Sequence, residues 1–324
     1  ALSAAHAYDA ASEHDSCGVG LVAALDAKPR REIVEMAIAA LKAVWHRGAV
    51  DADGKTGDGA GIRLNVPQKL FRKFVARTGH HADERDICVG MVFLPRVNFA
   101  AQDAARSIVE TEILRRGFYI YGWRQAPVQA RCLGEKANAT RPEIEQVLFC
   151  DPKGRAQEEL DRILYFVRRR IEKRARETGL HELYVCSLSS QDVVYKGMFL
   201  AQEIDNFYVD LKDPEFVSRV AIFHQRYSTN TFPEWRLAQP FRMLAHNGEI
   251  NTVKGNTNWM KSHEIRMISE LFGEDGEDAK PVIQPGSSDS AALDQTFELL
   301  VRAGRTAPMA KALLIPEAWS KRAA

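Results

Sequence analysis

The sequence has no hydrophobic run long enough to cross a membrane and no excess of charge of either sign. The apolar run from Cys88 to Leu94 ends at Pro95, well short of the ~20 residues that a membrane-spanning helix needs. Lys and Arg total 44 and Asp and Glu total 43, a formal net charge of +1. No overall field therefore attracts nucleic acid or anionic lipid, and we expect neither as a partner.

Cysteine is scarce, and its spacing fits neither a disulfide framework nor a zinc site. The number of cysteines is odd, and the chain has no Cys-x-x-Cys and no Cys/His pair at zinc-ligand spacing. The five are Cys17, Cys88, Cys132, Cys150 and Cys186. We expect the last four to be buried, inert thiols, because they lie in mixed or apolar sequence.

The first sixteen residues are small and polar and lack the apolar stretch of a secretory signal, which favours a cytoplasmic protein. Cys17 follows them directly. If the chain is cut before Cys17, its thiol and its new α-amino group belong to one residue, so nucleophile and base come together. An α-amine with a pKa of about 7.7–8.0 can accept the thiol proton at neutral pH. We therefore predict that residues 1–16 are a propeptide.

The chain has 324 residues, of which 45% are hydrophobic, with no internal repeat or linker. Periodicity predicts helices over 31–44, 103–116, 156–177 and 290–303, and strands over 17–24, 62–66, 117–123, 183–189, 193–199 and 220–223. The glycine-rich stretch 46–61 and most of the polar block 224–258 are predicted as loop. The basic face of the third helix, which includes Arg168 and Arg169, is predicted to face solvent.

Four residues outside the leader suit the hydrolysis of an amide in a free amino acid. Asn247-Gly248 can offer a side-chain amide and a backbone N–H to an oxyanion. Arg226 can bind a carboxylate through its guanidinium fork, and Asp289 can bind an ammonium group. Taken singly, Arg226 and Asp289 are more typical of a surface charge or a helix cap, and Asn-Gly is common in turns.

Five short motifs occur in order along the chain. They are Cys17-Gly-Val-Gly, His46-Arg-Gly, His224-Gln-Arg-Tyr-Ser-Thr, His246-Asn-Gly-Glu and Ser288-Asp-Ser. This set resembles the class II glutamine amidotransferases. The longer strings 44–61, 119–124, 134–142 and 239–256 are similar to the glutamate synthases within that group, and the resemblance extends from Cys17 almost to the end of the chain.

The resemblance implies a role for each matching residue. Cys17 would be nucleophile and base, and Asn247 with Gly248 would form the oxyanion hole. In the substrate-binding set, Arg226 would hold the α-carboxylate and Asp289 the α-amino group, while Arg47 would support the Cys17 region. The three motif histidines, His46, His224 and His246, are expected to pack or hydrogen-bond, because the amine already serves as base.

The same resemblance implies an α+β fold of the N-terminal-nucleophile hydrolase type, a four-layer αββα sandwich. Residues 17–324 would form one glutaminase domain, truncated at its C-terminal end. It would convert L-glutamine to L-glutamate and ammonia through a thioester on Cys17. In the full enzyme, ammonia would pass to 2-oxoglutarate in synthase domains of the same polypeptide. Those domains would carry FMN and a [3Fe-4S] cluster. They would receive electrons from a small NADPH-oxidising subunit or from ferredoxin. The chain itself offers no ligands for these cofactors.

Three alternatives remain open at this point. Gly54-Lys55-Thr56 resembles the end of a phosphate-binding loop, although Ala49 stands where its first glycine belongs. The chain could also be the glutaminase domain of another class II amidotransferase. The third alternative is an inactive fragment.

Overall fold

The computed structural model describes residues 18–82, 85–226, 232–248, 250 and 252–315. Its strands are β1 (Val19–Ala23), β2 (Thr56–Asn65), β3 (Ile87–Leu94), β4 (Tyr119–Gln125), β5 (Glu143–Cys150), β6 (Tyr184–Ser189), β7 (Asp192–Phe199) and β8 (Val220–Gln225). They form two antiparallel sheets with the orders β1-β8-β2-β7 and β4-β5-β3-β6. The predicted leader and Cys17 lie outside the described residues.

The helices cover the sheets from more than one side. They are α1 (Arg31–Ala43), α2 (Gln68–Arg77), α3 (Phe99–Arg115), α4 (Glu135–Ala139), α5 (Gln157–Glu177), α6 (Ile204–Phe207), α7 (Val253–Glu264), α8 (Asp289–Arg302) and α9 (Ala307–Leu314). α1 contacts β1 and β8, whereas α3 and α5 contact each other and the second sheet. In the part of the chain that the structure describes, no helix is both long and apolar enough to span a membrane.

Strand β3 shows how the two sheets and the helices share the apolar core. It is buried along its whole length. Val89, Met91 and Phe93 belong to the cluster that also contains Ile62 of the first sheet. The alternate residues Cys88, Val92 and Leu94 belong to the cluster built with α3 and α5. Side chains alternate across a strand, so covering both faces requires the continuous apolar run seen in the sequence.

Most of the predicted elements are confirmed, but the loop predicted over 46–61 is wrong in its second half. β2 begins at Thr56 and runs through the glycines. A Cβ at Gly57 would lie 2.5 Å from the backbone of Phe199, and one at Gly61 would lie 2.5 Å from the carbonyl oxygen of Gln239. These glycines therefore permit close backbone approach within a strand. The predicted loop 224–258 likewise contains the start of α7 at Val253.

The prediction that Arg168 and Arg169 face solvent is also wrong. Each is 2% exposed. Arg168 donates to Glu298 of α8 at 2.6 Å, and Arg169 donates to Glu172 at 2.9 Å. Burial raises the pKa of Glu172. The charges of the neighbouring arginines outweigh this effect and lower that pKa to about 2; they are Arg168, Arg169 and Arg242. Glu172 of the same helix and Glu298 of α8 thus pair with these arginines in the interior, where an unpaired charge would be strongly destabilising.

We predict that Gly61→Ala lowers the free energy of unfolding by about 1–3 kcal/mol, because the added methyl would overlap both Gln239 and the side chain of Lys196. Gly255→Ala is the matched control. Gly255 is an exposed residue of α7 with open space around it, so alanine there should raise stability by about 0.5–1 kcal/mol. Urea unfolding of both variants tests this, and equal effects would contradict the packing explanation.

Candidate functional site

Five segments that are distant in sequence converge near the end of β8. β8 pairs with β1 on one side and with β2 on the other. The N–H of Gln225 donates to the carbonyl of Gly18 at 2.6 Å, and Gly18 directly follows Cys17 in the sequence. The N–H of Arg226 donates to the carbonyl of Gly59 at 2.8 Å. β1 and β2 thus bring two segments that are distant from β8 in the sequence to Gln225 and Arg226.

The His46-Arg-Gly motif contacts this region through its glycine. Residues Trp45–Arg47 form a 3-10 helix, and the Arg47 side chain is exposed. A Cβ at Gly48 would lie 1.8 Å from Nε2 of Gln225 and 3.2 Å from Oδ1 of Asp58. Glycine is needed there because these two polar side chains fill the space. The supporting role of Arg47 stays a prediction.

Arg226 has an unusual backbone and a buried acidic neighbour. Its φ is 131° and that of its pairing partner Gly59 is 132°. Positive φ is uncommon for a residue with a Cβ, and such strain is concentrated at functional sites. The Arg226 side chain is 45% exposed, and its Nε lies 3.3 Å from Oδ2 of the buried Asp58. A cavity of about 650 Å³ opens here, lined by Asp58, Met198, Arg226 and Phe232 among others.

The segment His246-Asn-Gly is held by two buried side chains. The His246 N–H donates to Oε1 of Gln239, and Nε2 of Gln239 donates to the His246 carbonyl, each at 3.1 Å. The ring of His224 contacts the same carbonyl through Nε2, also at 3.1 Å. Asn247 and Gly248 themselves are exposed. The residue before the predicted oxyanion pair is therefore fixed while the pair remains accessible.

The N–H of Gly248 has an acceptor within its own loop. It donates to Nδ1 of His246 at 3.0 Å, so that nitrogen must be unprotonated. Burial lowers the pKa of His246, which favours this neutral form. An oxyanion bound at Gly248 would compete with the imidazole for the same proton donor.

Asp289 lies at the first position of α8 and is 3% exposed. Its Oδ2 accepts from the N–H of Ile250 at 3.1 Å, and its Oδ1 accepts from the N–H of Ser290 at 2.6 Å. The helix cap is the preceding Ser288, whose side chain accepts from Ala291. Asp289 thus ties α8 to the segment that follows Asn247-Gly248. Its contact with a substrate ammonium group stays a prediction.

Comparison with known proteins then decides the family. The family described as glutamine amidotransferases class-II matches residues 17–324. The chain belongs to the class II glutamine amidotransferases. It is 61% identical over 318 residues to the glutamate synthase [NADPH] large chain of Azospirillum brasilense, covering 98% of this chain and 21% of that protein. The family predicted from the sequence is confirmed.

More distant relatives have the same overlap. Identity is 43% over 314 residues with the ferredoxin-dependent glutamate synthase 2 of Synechocystis, covering 96% of this chain and 20% of that protein. Identity is 40% over 315 residues with the glutamate synthase [NADPH] large chain of Bacillus subtilis, covering 95% of this chain and 20% of that protein. The chain therefore spans about one fifth of the length of these curated relatives.

Gln239 was missed in the sequence, although it holds the loop of this class II amidotransferase. It is 1% exposed and begins the string 239–256 on which the glutamate synthase resemblance rests. That position in the string was the available signal. Its chemistry alone predicts nothing, because a glutamine before a proline is common in exposed turns.

Burial shifts the pKa of two side chains near the site, His224 downwards and Asp58 upwards. It lowers the pKa of His224 to about 4, against hydrogen bonds that favour the charged form. It raises the pKa of Asp58 to about 6, against the Ala49 amide and Arg226. Burial therefore shifts each group towards its neutral form.

Neither a metal site nor a phosphate-binding loop is found in the described ranges. Those ranges contain no group of three or more His, Cys, Asp and Glu residues that could hold a metal ion. Cys88, Cys150 and Cys186 are buried as expected, while Cys132 is only partly buried. Gly54 and Lys55 lie in a turn that leads into β2, whereas the lysine of a phosphate-binding loop begins a helix. That alternative is excluded by its structural context.

We predict that Gln239→Ala lowers the free energy of unfolding by about 1–3 kcal/mol, because it leaves the N–H of His246 without its acceptor and leaves the His246 carbonyl with His224 alone. Gln129→Ala, at an exposed glutamine, should change it by less than about 0.5 kcal/mol. Chemical denaturation of the two variants provides the comparison. A loss at Gln239 no larger than at Gln129 would show that the clamp does not stabilise the fold.

We predict that stability falls as pH decreases from about 6.5 towards 4, because the unfolded chain binds a proton at His224 that the fold resists. Between pH 7 and pH 5 this contribution is on the order of 2 kcal/mol. Asp58 acts in the opposite direction, so the test is the difference between wild type and His224→Gln. Parallel stability curves for the two proteins would contradict the prediction.

Proposed function

We propose that the chain is the glutamine-hydrolysing part of a glutamate synthase large subunit. It would convert L-glutamine and water to L-glutamate and ammonia. The observation that carries the proposal is the convergence of Gly18, Arg226, the His246-Asn-Gly loop and Asp289 in a chain of this family. The 61% identity to a glutamate synthase large chain supports the choice among class II amidotransferases.

The proposed chemistry begins once residues 1–16 are removed. The α-amine of Cys17 takes the thiol proton, and the sulfur attacks the side-chain carbonyl carbon of glutamine. The oxyanion receives hydrogen bonds from the side-chain amide of Asn247 and the N–H of Gly248. The ammonium of Cys17 returns its proton to the leaving nitrogen, and ammonia departs. Water then attacks the thioester, giving glutamate and restoring the free thiol.

Substrate binding would use the charged residues around the cavity. Arg226 would bind the α-carboxylate, since its side chain is half-exposed there and meets Asp58 through Nε, on one side of the guanidinium. Asp289 would bind the α-ammonium group, and Arg47 would support the Cys17 region. The N–H of Gly248 would have to leave Nδ1 of His246 to donate to the oxyanion.

The fold and domain boundaries complete this proposal. Residues 17–324 would form the glutaminase domain, arranged as a four-layer αββα sandwich. The support is the position of β3, which has one face in a cluster shared with the first sheet and the other in a cluster shared with α3 and α5. The contact of α1 with β1 and β8 supports the remaining helical layer.

The remaining chemistry of a glutamate synthase would reside outside this chain. Ammonia would pass to 2-oxoglutarate in the synthase part of the polypeptide, which would hold FMN and a [3Fe-4S] cluster and take electrons from a small NADPH-oxidising subunit in the cytoplasm. The described residues do not fit an iron–sulfur cluster, because none of their cysteines are grouped and burial raises the pKa of Cys88 and Cys186. No step through either cofactor is assigned to them.

We predict that Cys17→Ser in the full-length polypeptide reduces glutaminase activity by about a hundredfold or more, because a hydroxyl is a much weaker nucleophile than a thiolate. Intact-mass spectrometry with the glutamine analogue 6-diazo-5-oxo-norleucine is the matching measurement. Wild type should lack residues 1–16 and carry one adduct on Cys17. Unchanged turnover in the variant, or an adduct elsewhere, would overturn the proposed mechanism.

A further inference from the structure

Asp58 is a buried carboxylate that the fold does little to satisfy. It lies in β2 and is 6% exposed. Within the described ranges, neither Oδ1 nor Oδ2 accepts a hydrogen bond of good geometry. Its recorded ionic contact is the 3.3 Å approach of Arg226 Nε to Oδ2. Burying a charge without full pairing is unfavourable, so this aspartate does not serve stability.

Asp294 shows what a structural buried carboxylate looks like in the same protein. It is fully buried, and its Oδ1 accepts from the backbone N–H groups of Met243 at 2.8 Å and Leu244 at 3.0 Å. Those bonds anchor the segment that leads to His246. The backbone amides of Ala49 and Asp58 lie near enough to the Asp58 carboxylate to oppose the rise in its pKa, but among the described residues neither makes a hydrogen bond of good geometry to it. What Asp58 offers is a charge beside a half-exposed arginine.

The backbone of Arg226 is fixed, but its side chain needs a second constraint. The positive φ of Arg226 and its bond to Gly59 fix the Cα at the end of β8. From there the long side chain reaches a cavity of about 650 Å³. The ion pair at Nε draws that edge of the guanidinium towards Asp58 and leaves the two terminal nitrogens for end-on bidentate binding of a carboxylate.

Asp51 and Asp53, in the loop that precedes β2, bind other partners. Both carboxylate oxygens of Asp51 lie 2.8 Å from Nζ of Lys136. Asp53 accepts from the backbone and side chain of Thr56, at 2.7 and 2.6 Å. Gly48, meanwhile, leaves room for the Asp58 carboxylate, since a Cβ there would lie 3.2 Å from Oδ1. The local sequence thus keeps one carboxylate available to Arg226.

We propose that Asp58 is a positioning residue for Arg226, holding its guanidinium in the orientation that receives the α-carboxylate of glutamine and thereby setting the KM for glutamine. This inference rests on the proposed function and on the proposed role of Arg226. It requires the carboxylate form of Asp58, because a neutral side chain attracts the guanidinium far less strongly.

Asp58→Asn in the full-length, processed enzyme is the test. It keeps the shape and removes the charge, and we expect the KM for L-glutamine to rise about tenfold, with kcat within about threefold of wild type. The melting temperature should stay the same or rise, because a costly buried charge is lost. Asp192→Asn is the matched control, since it breaks an ion pair with Arg63 of the same strand away from the cavity, and its KM should stay within about twofold of wild type.

A double-mutant cycle tests whether Asp58 acts through Arg226. In an Arg226→Lys background, Asp58→Asn should change KM little further, because the fork that it orients is gone. Additive effects on KM would overturn the inference, as would an unchanged KM or a lowered melting temperature in Asp58→Asn alone. If Asp58→Asn does not fold, Asp58→Ser provides the same comparison.

The outcomes for the two proposals differ. An active wild type with an unaffected Asp58→Asn variant would refute the positioning role and leave glutamine hydrolysis standing. A processed wild type that neither hydrolyses glutamine nor binds its analogue would refute the proposed function itself. Mass spectrometry of each preparation separates these results from failed removal of the leader.

Discussion

The site depends on the antiparallel pairing of β8 with β1 on one side and β2 on the other. That pairing places Gly18 and Gly59 beside Gln225 and Arg226, although the two glycines are separated by about forty residues and both are far from β8 in sequence. Backbone hydrogen bonds across a sheet fix such positions more firmly than loops do. If the pairing slipped by one residue, every side chain of β8 would turn to the opposite face and the site would not form.

Close approach of neighbouring chains explains why glycine is frequent around this sheet. Gly48 leaves room for the side chains of Gln225 and Asp58, while Gly61 lets the segment at Gln239 lie directly on β2. In the same segment, the Gln239 side chain forms hydrogen bonds with the N–H and the carbonyl of His246. The glycines therefore serve two purposes. They allow close packing in the first sheet, and they allow the segment that places the Asn247-Gly248 loop to lie against that sheet.

Buried charges in this protein fall into two kinds. Arg168 pairs with Glu172 in its own helix and with Glu298 of α8, which joins α5 to α8 and compensates these charges inside the fold. Asp58 is compensated only in part, by a half-exposed arginine at the edge of a cavity. Interiors tolerate the first kind because each charge has close partners, whereas the second kind is unfavourable and is concentrated at functional sites.

The sequence by itself determined the family, because the motifs can be read directly as short strings of residues. It also determined most helices and strands, because their apolar periodicity is local. The sequence also singled out Arg226 and Asp289 as charged residues within those motifs. Only the tertiary structure decided that β2 begins at Thr56, that Arg168 is buried, and that Gln239 and Asp58 belong to the site. Each of these depends on what another segment brings into contact, and neither composition nor periodicity records which distant backbone lies within a few ångströms.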